Sequence, residues 1–198
     1  MYGNVLGTSA IERMVTSGEL VIDPFEEQHL GLAHYRVHVG AIYVSRPTDY
    51  RGSSSKVLRE IGTHATNFTM GPDDYILVSL KEHVSLPEGM FGRILPASHL
   101  VEKGFWVNSG KIDAGYQTLS TGRSAAILLG IKNLLRQENL LDLTAGVAHV
   151  EFVDLRGTES RFGGFSDESL MSATHRWHRI VGSGGPGGEA GSGAVNDD

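Results

Sequence analysis

Residues 110–116 read Gly-Lys-Ile-Asp-Ala-Gly-Tyr, the stretch of this chain best equipped to act on a small polar ligand. Asp113 stands two residues before Gly115, a position free to take positive φ, and three before the ring of Tyr116. A tight β-hairpin of that content can hold a sugar, with the ring as a floor and the carboxylate accepting hydrogen bonds from hydroxyls. The same residues also suit a plain turn, which recruits Asp and Gly for backbone reasons alone. The rest of the chain decides between the two.

The elements available to position these residues are short. Ser9-Ala10-Ile11-Glu12 has the pattern of a capping box and Gly18 that of a helix end, so a helix is predicted over 9–17. A strand over 19–23 then enters Pro24-Phe25. From His34 the period becomes two, with Tyr35, Val37 and Val39 on one face and His34, Arg36 and His38 on the other. Further apolar runs at 41–44, 75–80, 90–95, 104–107, 127–131, 141–143 and 147–155 are separated by turn signals. This cadence predicts a mainly β fold, an antiparallel barrel or sandwich with one short helix, rather than alternating βαβ units. Residues 46–71 are polar and turn-rich and read as a long excursion with weak structure. Residues 134–139 make at most one helical turn. The expected organisation is one domain over 1–180 and a disordered Gly-rich tail over 181–198.

At 198 residues the chain is long enough for one substantial core. A net charge of −6 without any Lys/Arg-rich run gives no general pull toward nucleic acid, which is not expected as a partner. The absence of cysteine excludes disulfides, thiol catalysis and Cys-ligated zinc. No basic segment leads into a long apolar run at the amino terminus, and no stretch approaches a membrane span. The expectation is a cytoplasmic protein without a membrane partner.

Three blocks stand in a telling order. Gly18-Glu19-Leu20-Val21-Ile22-Asp23-Pro24-Phe25 leads into Leu32-Ala33-His34-Tyr35-Arg36-Val37-His38-Val39-Gly40. Leu95-Pro96-Ala97-Ser98-His99-Leu100-Val101-Glu102-Lys103-Gly104 precedes the 110–116 heptad, and Ala145-Gly146-Val147-Ala148-His149-Val150-Glu151-Phe152 reads as a final core strand. Over about residues 4–180 this order resembles the dCTP deaminase/dUTPase superfamily, with the amino-terminal block closer to the deaminase branch. The resemblance implies a distorted β-barrel or jelly-roll subunit, a homotrimer with active sites shared between subunits, and a deoxynucleotide ligand of the dUTP or dCTP class carrying Mg²⁺ on its phosphates. It implies that the hairpin over 107–117 grips the base through main-chain groups, that Tyr116 crowds the sugar 2′ position, and that Asp113 meets the 3′ hydroxyl. In the hydrolase branch the acid matching Asp113 orients the attacking water. The implied nucleotide-binding set is Ser98, His99, Asn108, Ser109, Lys111, Asp113, Tyr116, Gln117, Arg161 and Phe165, with Asp113 catalytic.

The chain also departs from that pattern. The deaminase branch carries a proton-shuttling glutamate on the strand after the hairpin, and here Gly130 takes its place in Ile127-Leu128-Leu129-Gly130-Ile131-Lys132-Asn133. Losing a general acid/base costs roughly a hundred- to ten-thousand-fold in rate. The family's Pro-Arg-Ser-Ser phosphate block reads Pro96-Ala97-Ser98-His99, so a bidentate arginine has become a methyl group, and Glu102 replaces a further arginine. Residues 156–166 faintly resemble the carboxy-terminal arm of the hydrolases, in which Phe165 would stack on a base and Arg161 reach phosphate; a plain Gly-rich loop reads the same way.

The remaining singular residues have structural readings. Four residues of extended strand put His34 and His38 roughly 13 Å apart, too far for one ion, and no metal-ligating set is assigned. His149 is expected in a core hydrogen bond, and the basic-aromatic cluster at 175–179 as an interface anchor. Phe105 and Trp106 are expected to pack on the barrel or a neighbouring subunit. Three functions stay open: a deoxynucleotide-binding protein without efficient deamination, an active dUTPase-type pyrophosphohydrolase, and a non-enzymatic structural or regulatory trimer.

Overall fold

The protein is described by a computed structural model in which residues 4–44, 57–60, 66–108, 110–114 and 127–157 are placed. The amino-terminal elements are β1 (Asn4–Val5), α1 (Thr8–Ser17), β2 (Val21–Asp23), a 3₁₀ turn (Glu27–His29), β3 (Tyr35–Val37), β4 (Val39–Val44), β5 (Val57–Glu60) and β6 (Asn67–Met70). They are followed by β7 (Tyr75–Leu80), β8 (His83–Ser85), β9 (Met90–Pro96), α2 (Ser98–Glu102), β10 (Phe105–Asn108), β11 (Lys111–Asp113), β12 (Leu128–Asn133), β13 (Asn139–Asp142) and β14 (Ala148–Asp154).

Two antiparallel sheets share the core. One runs β1-β14-β9-β11, with β3 also on β14; the other runs β10-β12-β7-β4-β5. Alternation dictates which side chains meet between them. On β14, Ala148, Val150 and Phe152 are fully buried while His149 and Glu151 point away; on β12, Leu129, Ile131 and Asn133 turn inward. The apolar ones join Ile42, Val78, Ile94, Ile112 and the helix residues Ile11 and Met14 in one cluster. The mainly β expectation is met. Among the described residues no helix is long and apolar enough to cross a membrane.

Several local expectations are corrected. The helix begins at Thr8 with Gly7 as its cap, and no side chain caps it. The Thr8 hydroxyl instead donates to the Gly31 carbonyl at 2.6 Å, tying the helix to the loop before β3, so the capping box is not formed. Its end is as read: Gly18 takes φ 76° and returns its N–H to the Val15 carbonyl. The 46–71 excursion is more regular than its composition indicates, because β5 pairs with β4 and β6 with β13. Residues 134–139 form a bend rather than a helical turn, and β13 starts at Asn139. The tail over 181–198 lies outside the described residues.

The period-two reading fails at His38. The residue sits between β3 and β4, next to a register shift on the β4–β7 ladder, and is buried at 9 % exposure instead of facing out with Arg36. A bulge adds one residue to one side of a ladder and re-aims the side chains beside it. Sequence alternation alone cannot locate it.

Candidate functional site

Asp113 is placed by Ile112. That side chain is 1 % exposed in the core, so its neighbours Lys111 and Asp113 must project from the opposite face of β11. There the Lys111 ammonium donates to Asp113 Oδ1 at 2.8 Å. The Asp113 side chain keeps 17 % exposure, enough to accept a further hydrogen bond from a ligand.

The short strands around Asp113 divide differently from a simple hairpin. β10 pairs with β12 in one sheet, whereas β11 pairs with β9 in the other, so the chain changes sheets between Asn108 and Lys111. The step from β10 to β11 therefore joins the two layers; any return strand after Ala114 lies outside the described residues. Asn108 is exposed and stands opposite Gly130.

Among the described residues of the expected set, Asp113 and the Ser98–His99 pair stand at different ends of one strand. Asp113 pairs with Phe91 at the beginning of β9, while Ser98 and His99 follow Pro96 at its far end. Five residues of strand separate these ends by about 17 Å. Ser98 is exposed at the start of the five-residue α2, whose N-cap Ala97 offers no side-chain bond. His99 is partly buried, its Nε2 is enclosed without a hydrogen-bond partner, and burial, reinforced by Lys103, holds it below the ordinary histidine value. Glu102 is exposed. Ser109, Tyr116, Gln117, Arg161 and Phe165 lie outside the described residues.

Gly130 is the informative departure. Tyr75 lies diagonally across the β7–β12 ladder, two pairs removed from Gly130. Its ring covers the glycine. A Cβ built on Gly130 would overlap the Tyr75 hydroxyl and come within 2.7 Å of Cζ. The space into which a side chain at 130 would project is filled by Tyr75. Sequence reading placed Tyr75 in a strand but gave it no role; only the pairing register reveals one.

The other singular residues resolve as contacts. Phe105 is buried on the core, and Trp106 is 62 % exposed beside Lys132. Arg156, at the start of the arm segment, is held by Asp154 and Glu19, with Nη2–Oδ2 and Nη1–Oε2 distances of 2.7 and 2.9 Å. The contact recorded for the His149 side chain is a ring stack on His34, with centroids 4.1 Å apart, rather than a core hydrogen bond. Burial holds His149 below the ordinary histidine value, and His34, Arg36 and His99 push it the same way.

A lowered folded-state value means that the unfolded chain takes up the proton first. The stabilisation from neutral His149 is present above its unfolded value of about 6.5 and is lost as the pH falls through the lower folded value. The urea midpoint of the parent is therefore expected to drop between pH 7.5 and 5.5, and His149→Gln to flatten that drop. An identical pH slope in the variant would remove His149 from the linkage.

Comparison with known proteins fits this architecture. The family described as dCTP deaminase-like matches residues 5–155. The chain belongs to that family. Among curated proteins it is 24 % identical over 115 residues to a dUMP-forming dCTP deaminase of Hydrogenobaculum sp. (strain Y04AAS1), covering 57 % of this chain and 65 % of the relative. It is 22 % identical over 120 residues to the protein of the same description from Persephonella marina, covering 57 % and 67 %. The crystal structure of the 2′-deoxycytidine 5′-triphosphate deaminase from Agrobacterium tumefaciens superposes with a TM-score of 0.56 at 15 % identity, over 93 % of this chain and 56 % of the other. The chain thus spans about two thirds of these curated relatives and little more than half of that structure.

Proposed function

We propose that this protein binds a deoxynucleotide of the dCTP or dUTP class and has lost efficient deamination. The observation that carries the reading is Gly130 beneath Tyr75: where the deaminase branch presents its glutamate, this chain has no carboxylate, and the Tyr75 ring occupies the space a side chain there would enter. Asp113 supports retained binding, since a partly exposed carboxylate on a fixed strand suits a 3′ hydroxyl. The separation of Asp113 from Ser98 supports a homotrimeric arrangement, in which one copy supplies the sugar contact and another the phosphate contact. Lys111 would then hold Asp113 in orientation, and Asn108 would face the ligand from the adjoining sheet. Asp113 is already engaged by Lys111 and no acidic cage surrounds it among the described residues. Mg²⁺ would therefore enter on the nucleotide phosphates rather than on the protein.

A second reading, pyrophosphate release from dUTP or a related nucleotide, is favoured by the same carboxylate, because that branch does not require the glutamate at 130. The dUMP-forming description of the curated relatives points the same way. Incubation of the purified chain with Mg²⁺ and dCTP or dUTP, followed by product separation, distinguishes the readings. The expected result is no uridine nucleotide from dCTP; dUMP with pyrophosphate would establish the hydrolase. Calorimetry is expected to show binding in either case, weakened roughly ten- to a hundredfold by Asp113→Asn through loss of a charge-assisted hydrogen bond. Equal affinities for parent and variant would remove Asp113 from the site, and no binding by the parent would leave a structural role.

A further inference from the structure

The geometry points to a site for one divalent transition-metal ion of the zinc class, formed by His29, His38 and Glu82. The three come from separate turns: the 3₁₀ turn, the β3–β4 junction and the β7–β8 connection. One ligand atom from each lies within 4.8 Å of the other two. The His29 and His38 rings approach to 4.3 Å between centroids, and His38 Nδ1 is 2.7 Å from Glu82 Oε1. Glu82 is fixed further by the His38 backbone N–H, which donates to Oε2 at 2.8 Å.

Two features go beyond a buried hydrogen-bonded pair. His29 Nδ1 is enclosed by protein and has no hydrogen-bond partner, a state that costs free energy unless something supplies an interaction there. Its other nitrogen, Nε2, faces Glu26 Oε2 at 3.8 Å. That distance is an ion-pair approach rather than a hydrogen bond, and it sets a carboxylate beside the ring, as one stands near many metal-ligating histidines. Two imidazoles and one carboxylate suit zinc or its neighbours rather than Mg²⁺ or Ca²⁺, which take all-oxygen shells. Ligand atoms around one zinc stand roughly 3–4 Å apart, so the widest pair has to close by about an ångström, a movement within reach of side-chain rotation. Sequence reading compared His34 with His38 along one strand and so missed the set, whose members are far apart in the chain.

The test titrates the full chain with Zn²⁺ by calorimetry and with Co²⁺ by visible absorption. One saturable equivalent and a d–d spectrum of low-symmetry Co²⁺ are expected for the parent. His29→Ala should weaken binding at least tenfold. His34→Ala, and a chain with His175→Ala and His178→Ala, should bind as the parent does. A parent that shows no saturable binding, a His29→Ala chain that binds as tightly as the parent, or loss of binding in either control would overturn the assignment.

Discussion

Asn133→Ala is expected to lower the free energy of unfolding by about 2–4 kcal/mol, a large change for one polar side chain. Asn133 is fully buried at the end of β12. Its Nδ2 donates to the carbonyls of Gly71 at 2.8 Å, Gln137 at 2.9 Å and, more weakly, Met70 at 3.3 Å. Its Oδ1 accepts from the Leu135 N–H at 3.0 Å. One amide thus closes the bend over 134–138 and ties it to the end of β6. Alanine leaves those groups without partners, and an enclosed polar group left unpaired costs roughly 1–3 kcal/mol. Water can reach the exposed Leu135 and Gln137, which sets the estimate below the full sum. Asn133→Asp should be worse than alanine at neutral pH, because it sets a carboxylate against three carbonyl oxygens. Chemical denaturation of both variants checks this; a loss under 1 kcal/mol for alanine would mean the bend stands without the amide.

The second prediction concerns Gly130 and Tyr75 as a pair. Gly130→Ala should cost about 1–3 kcal/mol, since its Cβ must displace the Tyr75 ring. In a Tyr75→Ala background the same change should cost at least about 1 kcal/mol less, giving a clear coupling energy in a double-mutant cycle. Tyr75→Phe should not relieve the clash, because the ring carbons as well as the hydroxyl stand in the way. The activity arm follows from the same geometry. Gly130→Glu alone is expected to yield no measurable deamination of dCTP. Combined with Tyr75→Ala, it should raise deamination by roughly two orders of magnitude or more over the parent, the contribution of a general acid/base. A double variant no more active than the parent would move the defect to the altered phosphate block at Ala97 and Glu102. Additive stabilities would show that the ring swings aside freely.

What could be read from the sequence was whatever depends on neighbours in the chain. Strands such as β7 and β14 announce themselves because alternation is a local property, and Gly18 ends its helix by its own backbone freedom. The order of motifs likewise identified the family before any coordinates. Contacts set by register were out of reach. Nothing in the alternation places Tyr75 over Gly130, since that depends on how β7 and β12 slide against each other. His38 reads as a surface residue because an irregular ladder near it turns it inward, where it meets Glu82 from a distant turn. The strands β5 and β6 were hidden for a similar reason: polar sequence in 46–71 gains its regularity from partners β4 and β13 rather than from its own composition. Asp113 and Ser98 are adjacent in the motif pattern yet stand at opposite ends of β9 in the fold.

The change of sheet between Asn108 and Lys111 has a mechanical meaning. A polypeptide that crosses from one layer to the other within two residues leaves no slack between the strands it joins. Asn108, opposite Gly130, and Asp113, opposite Phe91, are geared to each other through that short tether. A replacement that lifts Tyr75 and shifts the edge of one layer would be inherited by the carboxylate on the other, so the settings of Asn108 and Asp113 cannot be altered independently in this scaffold.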